Sequence, residues 1–272
     1  MKKVLLYTFA AIVLLVSAWL FAIYKSIERF DLPHGAVLRV LPASRINQSH
    51  SAIVLCPGGG YNFLEKWREG YWWFPFYYFQ GYTVALLEYR LPDEDHQAPT
   101  IDGSETIRLM REHAKEWGYD KVGMMGFSAG GHLVSTMMVS DDASVRPDFA
   151  VLFYPIVSMK KDLTHYWAYL HLLGENPPEE LVERYSNELH VSDQTPPACI
   201  VVCSDDKIVD PRNAIRFYKA MRAKNRPVTL RVYPSGGHGW GYRLTFAHHR
   251  QMVKDLSEWL ENREEQKKQM KR

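Results

Sequence analysis

Residues 121–138 read KVGMMGFSAGGHLVSTMM. Residues 121–127 form a short, almost continuously apolar run, the signature of a strand buried on both faces. The residues after Ser128 have the character of a helix, so Gly126-Phe127-Ser128-Ala129-Gly130 is a G-x-S-x-G placed where a strand hands over to a helix. A turn that sharp forces the serine into a strained backbone conformation. Side chains two residues to either side would collide, so glycine occupies both positions. Strand, turn and helix in this order predict an α/β fold with a serine hydroxyl exposed at a strand end.

The same rhythm extends in both directions. Apolar, β-branched runs at 52–56, 82–88, 149–154, 199–204 and 228–233 predict further strands of a mostly parallel sheet. Ile107, Met110, Ala114 and Trp117 recur at helical spacing, and 211–223 and 248–263 read the same way, which predicts helices on both faces of the sheet. Residues 155–191 break the rhythm. They predict an excursion over the C-terminal edge of the sheet, where α/β proteins place their sites.

A reactive serine needs an oxyanion hole, a base and an acid. Cys56-Pro57-Gly58-Gly59-Gly60-Tyr61 follows an early strand, and the N–H of Gly59 or Gly60 together with that of Ala129 could hold a developing alkoxide. No G-x-G-x-x-G follows, nor a Walker lysine, so a nucleotide loop is excluded. The base is expected after the last strand, where residues 233–241 (YPSGGHGWG) offer His238. His132, one turn into the helix after the serine, reads as a packing or supporting residue, and His248 and His249 open the final helix. No zinc-ligand spacing occurs, and no metal or organic cofactor is expected. The acid belongs between serine and histidine, where residues 204–211 (SDDKIVDP) supply three aspartates. Asp210 before Pro211 suits a helix start. Asp205 and Asp206 remain, and nothing local separates them.

The chain has 272 residues, 46% of them apolar, enough for one core of about 230 residues. Lys and Arg number 33 against 31 Asp and Glu, without a basic cluster interleaved with aromatics, so nucleic acid is excluded as a partner. No feature points to a protein partner. Cys199 and Cys203 share one expected strand about 13 Å apart, too far to bridge, and all three cysteines read as small buried hydrophobes. Residues 4–24 carry no charge, and as a helix of about 31 Å they could cross a bilayer. Lys2 and Lys3 ahead of them predict an anchor with the remainder outside the cytoplasm. Val16-Ser17-Ala18 is the competing signal-peptide site, whose cleavage would leave the domain periplasmic or secreted. The division is therefore 1–30 anchor or signal, 31–262 domain, and 263–272 charged tail.

In CPGGGY at 56–61, EYRLP at 88–92, GFSAGGH at 126–132, YP at 154–155, TPP at 195–197, SDDKIVDP at 204–211 and GGHGWG at 236–241, the chain resembles the α/β-hydrolase superfamily. More narrowly, it is similar to the acetylxylan esterase-related branch of exported bacterial carbohydrate esterases, from about residue 38 to about 260. The resemblance implies the α/β-hydrolase fold and a carboxylic ester hydrolase acting on a small-molecule or oligosaccharide ester. It implies Ser128 as nucleophile and His238 as base. In the superfamily the acid is followed three places on by a valine, as Asp206 is by Val209, which selects Asp206 with Asp205 in reserve. Cys56-Pro57 stands where many members carry His-Gly, so the choice between Gly59 and Gly60 stays open. Ten aromatics at 63–79, with Tyr166, Trp167 and Tyr169, could supply a sugar platform or simply core. An esterase of acyl lipids, a serine exopeptidase and a hydrolase fold kept as a binding module are the alternatives.

Overall fold

Among the described residues, the strands β1 Glu28–Asp31, β2 Val37–Leu41, β3 Ser51–Cys56, β4 Thr83–Glu88, β5 Lys121–Phe127, β6 Phe149–Phe153, β7 Ala198–Cys203 and β8 Val228–Tyr233 form one sheet. Their spatial order is β1-β2-β4-β3-β5-β6-β7-β8. They belong to a computed structural model that describes residues 7, 11, 14, 17, 21–44, 46–93 and 95–270. From β4 to β8 every neighbouring pair is parallel, whereas β1 and β2 form an antiparallel edge.

Side chains along a strand point alternately to the two faces, and the core divides accordingly. Ala52, Val54 and Cys56 of β3 join one apolar layer with Ile107, Met110, Leu133 and Phe217. Ile53 and Leu55 join the other, with Trp73, Tyr77, Met252 and Leu256. Helices Ala98–Glu112, Ala129–Met138 and Arg212–Ala223 cover the first face; Phe74–Phe79 and His249–Met270 cover the second. Coverage on both sides is why β3, β6 and β7 are buried throughout and read as continuous apolar runs.

Three expectations are adjusted. The sheet starts inside the segment divided off as 1–30, because Glu28, Arg29 and Phe30 pair with Val40, Arg39 and Leu38. The stripe through Ile107, Met110, Ala114 and Trp117 does not lie on one helix: the first helix ends at Glu112, and a separate turn, Ala114–Trp117, closes at the left-handed Gly118. His113, at the break, stacks on Trp117 with ring centroids 4.4 Å apart. The last helix continues through most of the charged tail, to Met270. The anchor or signal assigned to residues 4–24 lies for the most part outside the described residues, among which no helix is long and apolar enough to cross a membrane.

The chain order reverses around β3, with β4 on one side and β5 on the other. A crevice opens where the order reverses at the carboxyl ends of the strands. The register pairs Cys56 with Gly126, so the loops leaving β3 and β5 emerge side by side.

Candidate active site

Ser128 occupies that crevice at φ 51° and ψ −116°, a conformation that costs a non-glycine residue about 1–3 kcal/mol. Its surroundings hold it there. The Ser128 N–H donates to the Phe153 carbonyl at 3.1 Å, and its carbonyl accepts from the His132 and Ile156 N–H groups, each at 3.1 Å. The flanking glycines are required by close backbone approach. A Cβ on Gly126 would fall on the Gly130 carbonyl, and a Cβ on Gly130 would fall on the carbonyl oxygens of Cys56 and Pro57.

His238, in the loop after β8, reaches the serine. Its Nε2 lies 2.9 Å from Ser128 Oγ and its Nδ1 lies 2.7 Å from Asp206 Oδ2. The other Asp206 oxygen accepts the N–H groups of Ile208 at 2.9 Å and Val209 at 3.0 Å, so the buried carboxylate is aimed. Asp205 points elsewhere: it accepts the N–H groups of Gly236 at 3.1 Å and Gly237 at 2.8 Å, which also hold its pKa below the usual carboxylate range. Asp210 accepts the Arg212 N–H at 2.9 Å and pairs with its guanidinium, the local bond of a helix start.

The glycine loop lies alongside. Gly59 and Gly60 have φ of 131° and 62°, and their N–H groups have no acceptor among the described residues. Ala129 begins its helix, where N–H groups lack intrahelical partners and the helix dipole favours negative charge. The Gly60 carbonyl accepts from His171 Nδ1 at 2.9 Å, tying the 155–191 excursion to this loop. His132 supports the loop rather than facing the serine. Its Nε2 lies 2.8 Å from the Tyr185 carbonyl and must carry the proton, so its Nδ1 accepts the Tyr61 hydroxyl at 2.8 Å. Burial pushes this imidazole down to about 4, and it is neutral at pH 7.

A cavity of about 660 Å³ opens over Ser128, walled by Gly59, Phe63, His165, Trp167, Ile208 and His238. The aromatic run therefore divides. Trp73, Phe74, Phe76 and Tyr77 are core, whereas Phe63 meets the cavity; in the excursion Tyr169 is buried and Trp167 meets the cavity. Cys56, Cys199 and Cys203 are buried and free.

Two residues at the site go unmentioned in the sequence reading as functional groups. Glu69 is buried, accepting the Gly58 N–H at 2.8 Å and the Tyr154 hydroxyl at 2.8 Å, and burial pushes its carboxyl pKa up. Tyr154, at φ 37°, packs its ring 4.7 Å from the His238 imidazole, centroid to centroid. A carboxylate inside an aromatic run was the available signal.

A serine hydroxyl bonded to an imidazole, itself held by a carboxylate, can pass its proton to the imidazole as the oxygen attacks an electrophilic carbon. The family model described as BD-FAE matches residues 40–221. The chain is 40% identical over 222 residues to an acetylxylan esterase of Xylanibacter ruminicola, covering 79% of this chain and 46% of that protein. It is 32% identical over 204 residues to endo-1,4-beta-xylanase B of Butyrivibrio fibrisolvens, covering 69% of this chain and 32% of that protein. The chain thus spans less than half the length of these curated relatives. Among solved structures, the acetyl ester-xyloside bifunctional hydrolase of Caldicellulosiruptor lactoaceticus superposes with a TM-score of 0.77 at 31% identity, over 85% of this chain and 89% of that one.

Proposed function

The chain belongs to the BD-FAE family, and we propose that it is a serine esterase that removes acetyl groups from carbohydrate. The observation that carries this reading is the single imidazole of His238 bonded to Ser128 Oγ on one side and Asp206 on the other. His238 takes the Ser128 proton while Oγ attacks the acetyl carbonyl. The carbonyl oxygen becomes an oxyanion held by the N–H groups of Ala129 and of Gly59 or Gly60. Collapse expels the sugar alkoxide, which receives the proton from His238. Water, deprotonated by the same imidazole, then releases acetate and restores the serine.

The acetyl-carbohydrate assignment is supported by the likeness to an acetylxylan esterase and by the aromatic rings of Trp167 and Phe63 in the cavity wall. We further place the domain outside the cytoplasm, on the uncharged run 4–24 behind Lys2 and Lys3. Protease added to spheroplasts should degrade an anchored domain while a cytoplasmic control protein stays intact, and a cleaved domain should appear in the periplasmic or culture fraction; protection alongside the cytoplasmic control would overturn that location.

Acid release from acetylated xylan, acetylated oligosaccharides and acyl lipids, measured for the wild type and Ser128→Ala, tests the function. Acetate from the carbohydrates, lost in the variant, is the expected result. Faster release of long-chain acids would indicate a lipid esterase, and full activity in Ser128→Ala would remove the serine mechanism.

A further inference from the structure

Three loops converge on Ser128: the glycine loop after β3, the Tyr154 turn after β6 and the histidine loop after β8. Glu69 connects all three. Its Oε2 accepts the Gly58 N–H at 2.8 Å, its Oε1 accepts the Tyr154 hydroxyl at 2.8 Å, and that hydroxyl accepts the Gly241 N–H at 2.9 Å. The backbone on either side reinforces the junction, because the Tyr242 N–H donates to the Arg68 carbonyl at 2.9 Å. A Cβ on Gly58 would stand 2.9 Å from Glu69 Oε2 and 2.9 Å from Ser128 Cβ, so carboxyl and serine flank the same backbone atom.

A carboxyl group in this position is expensive for stability. It is 3% exposed, and the adjacent guanidinium of Arg68 pairs with Glu65 instead. A carboxylate taken out of water costs stability unless a cation or hydrogen bonds offset it, and here only the two hydrogen bonds do. What Glu69 supplies is orientation: by engaging the Gly58 N–H it sets the first peptide of the glycine loop and leaves the Gly59 and Gly60 N–H groups without a protein acceptor.

We propose that Glu69 is a positioning residue for ester hydrolysis, locking the glycine loop to the histidine loop so that the oxyanion donors of the one and the His238 base of the other address the same tetrahedral centre formed at Ser128 Oγ. This rests on the serine-esterase reading above. An ester can occupy the cavity without that alignment, but its transition state needs N–H donors about 2.7–3.1 Å from the oxyanion. Misplacing them by about 1 Å costs roughly 100-fold. The effect should therefore fall on kcat and spare KM.

The test compares Glu69→Ala, Glu69→Gln, Tyr154→Phe and Ser128→Ala in the full chain, by kcat and KM on p-nitrophenyl acetate, fluorophosphonate labelling rate and thermal unfolding. Glu69→Ala should lower kcat roughly 100-fold with KM within about threefold, and labelling should fall in parallel, since phosphonylation also builds negative charge on oxygen. Glu69→Gln keeps an acceptor for Gly58 and should recover about tenfold; Tyr154→Phe, which breaks the link to Gly241, should lose about tenfold. If Glu69→Ala does not fold, the Gln and Phe variants decide by the same kcat criterion. Wild-type kcat in the folded Glu69 variants, or a lowered melting temperature with kcat intact, overturns the proposal while an inactive Ser128→Ala leaves the esterase reading standing. An active Ser128→Ala overturns both.

Discussion

Asp206 Oδ2 lies 2.7 Å from His238 Nδ1, while its neighbour Asp205 bonds the backbone of Gly236 and Gly237 in the loop that carries the histidine. The two carboxylates therefore separate kinetically. Asp206→Asn presents the wrong hydrogen-bonding pattern to the imidazole and should lower kcat by about 10³–10⁴. Asp205→Asn should cost less than about tenfold, because it retains a carbonyl oxygen for one of the two glycine N–H groups. Steady-state kinetics on an acetyl ester distinguishes them, and equal losses would reverse the assignment.

His132 makes stability depend on pH. Unfolded, a histidine titrates near 6.5; folded, this one is pushed down to about 4 by burial between Tyr61 and Tyr185. Protonation thus favours the unfolded chain. The contribution of neutral His132 is whole above about pH 6.5 and is lost as the pH falls toward about 4, on the order of 3 kcal/mol in all. Urea midpoints at pH 8, 6.5 and 5 should fall steeply over the last interval for the wild type and less for His132→Gln. Parallel curves would show that other groups dominate.

Gly130 sets helix propensity against packing. Alanine is favoured over glycine by about 1 kcal/mol inside a helix, and Gly130 lies in helix Ala129–Met138. Its added Cβ, however, would fall on the carbonyls of Cys56 and Pro57, so Gly130→Ala should destabilise by about 3 kcal/mol or more. A melting temperature at or above the wild type would mean that helix and β3 loop can separate without cost.

Trp167 is 58% exposed and lines the cavity over Ser128. If a sugar ring rests on it, Trp167→Ala should raise KM for acetylated xylo-oligosaccharides roughly three- to tenfold. Kinetics on ethyl acetate, which has no ring to stack, should be unchanged. Equal effects on both substrates would assign Trp167 to the shape of the cavity instead.

Legibility followed locality. β3, β5, β6 and β7 are covered on both faces, so burial writes itself into continuous apolar runs that a linear reading detects. The antiparallel strands β1 and β2 carry no such run; Arg39 of β2 pairs with Glu88 of β4, a partner 49 residues away. Ser128 and its glycines were legible because the constraint spans only five residues. His238 was legible from its place in a glycine-rich loop after the last strand. Asp205 and Asp206 are chemically identical neighbours that differ in direction alone, and direction is set by the end of β7 and the hydrogen bonds it leaves open.

By itself the sequence determined the strand-turn-helix around Ser128, the glycine loop and the order serine, aspartate, histidine, because steric limits and hydrophobic periodicity act over a few residues. The resemblance selected Asp206 and the place of His132 marked it as a supporting residue; only the tertiary structure supplied the partners of each, His238 for the one and Tyr61 and Tyr185 for the other, and only it brought Glu69 to the site. Glu69 bonds to groups 11 and 85 residues away. A buried polar group takes its meaning from the donors that satisfy it, and those arrive only when the sheet brings distant loops to one edge.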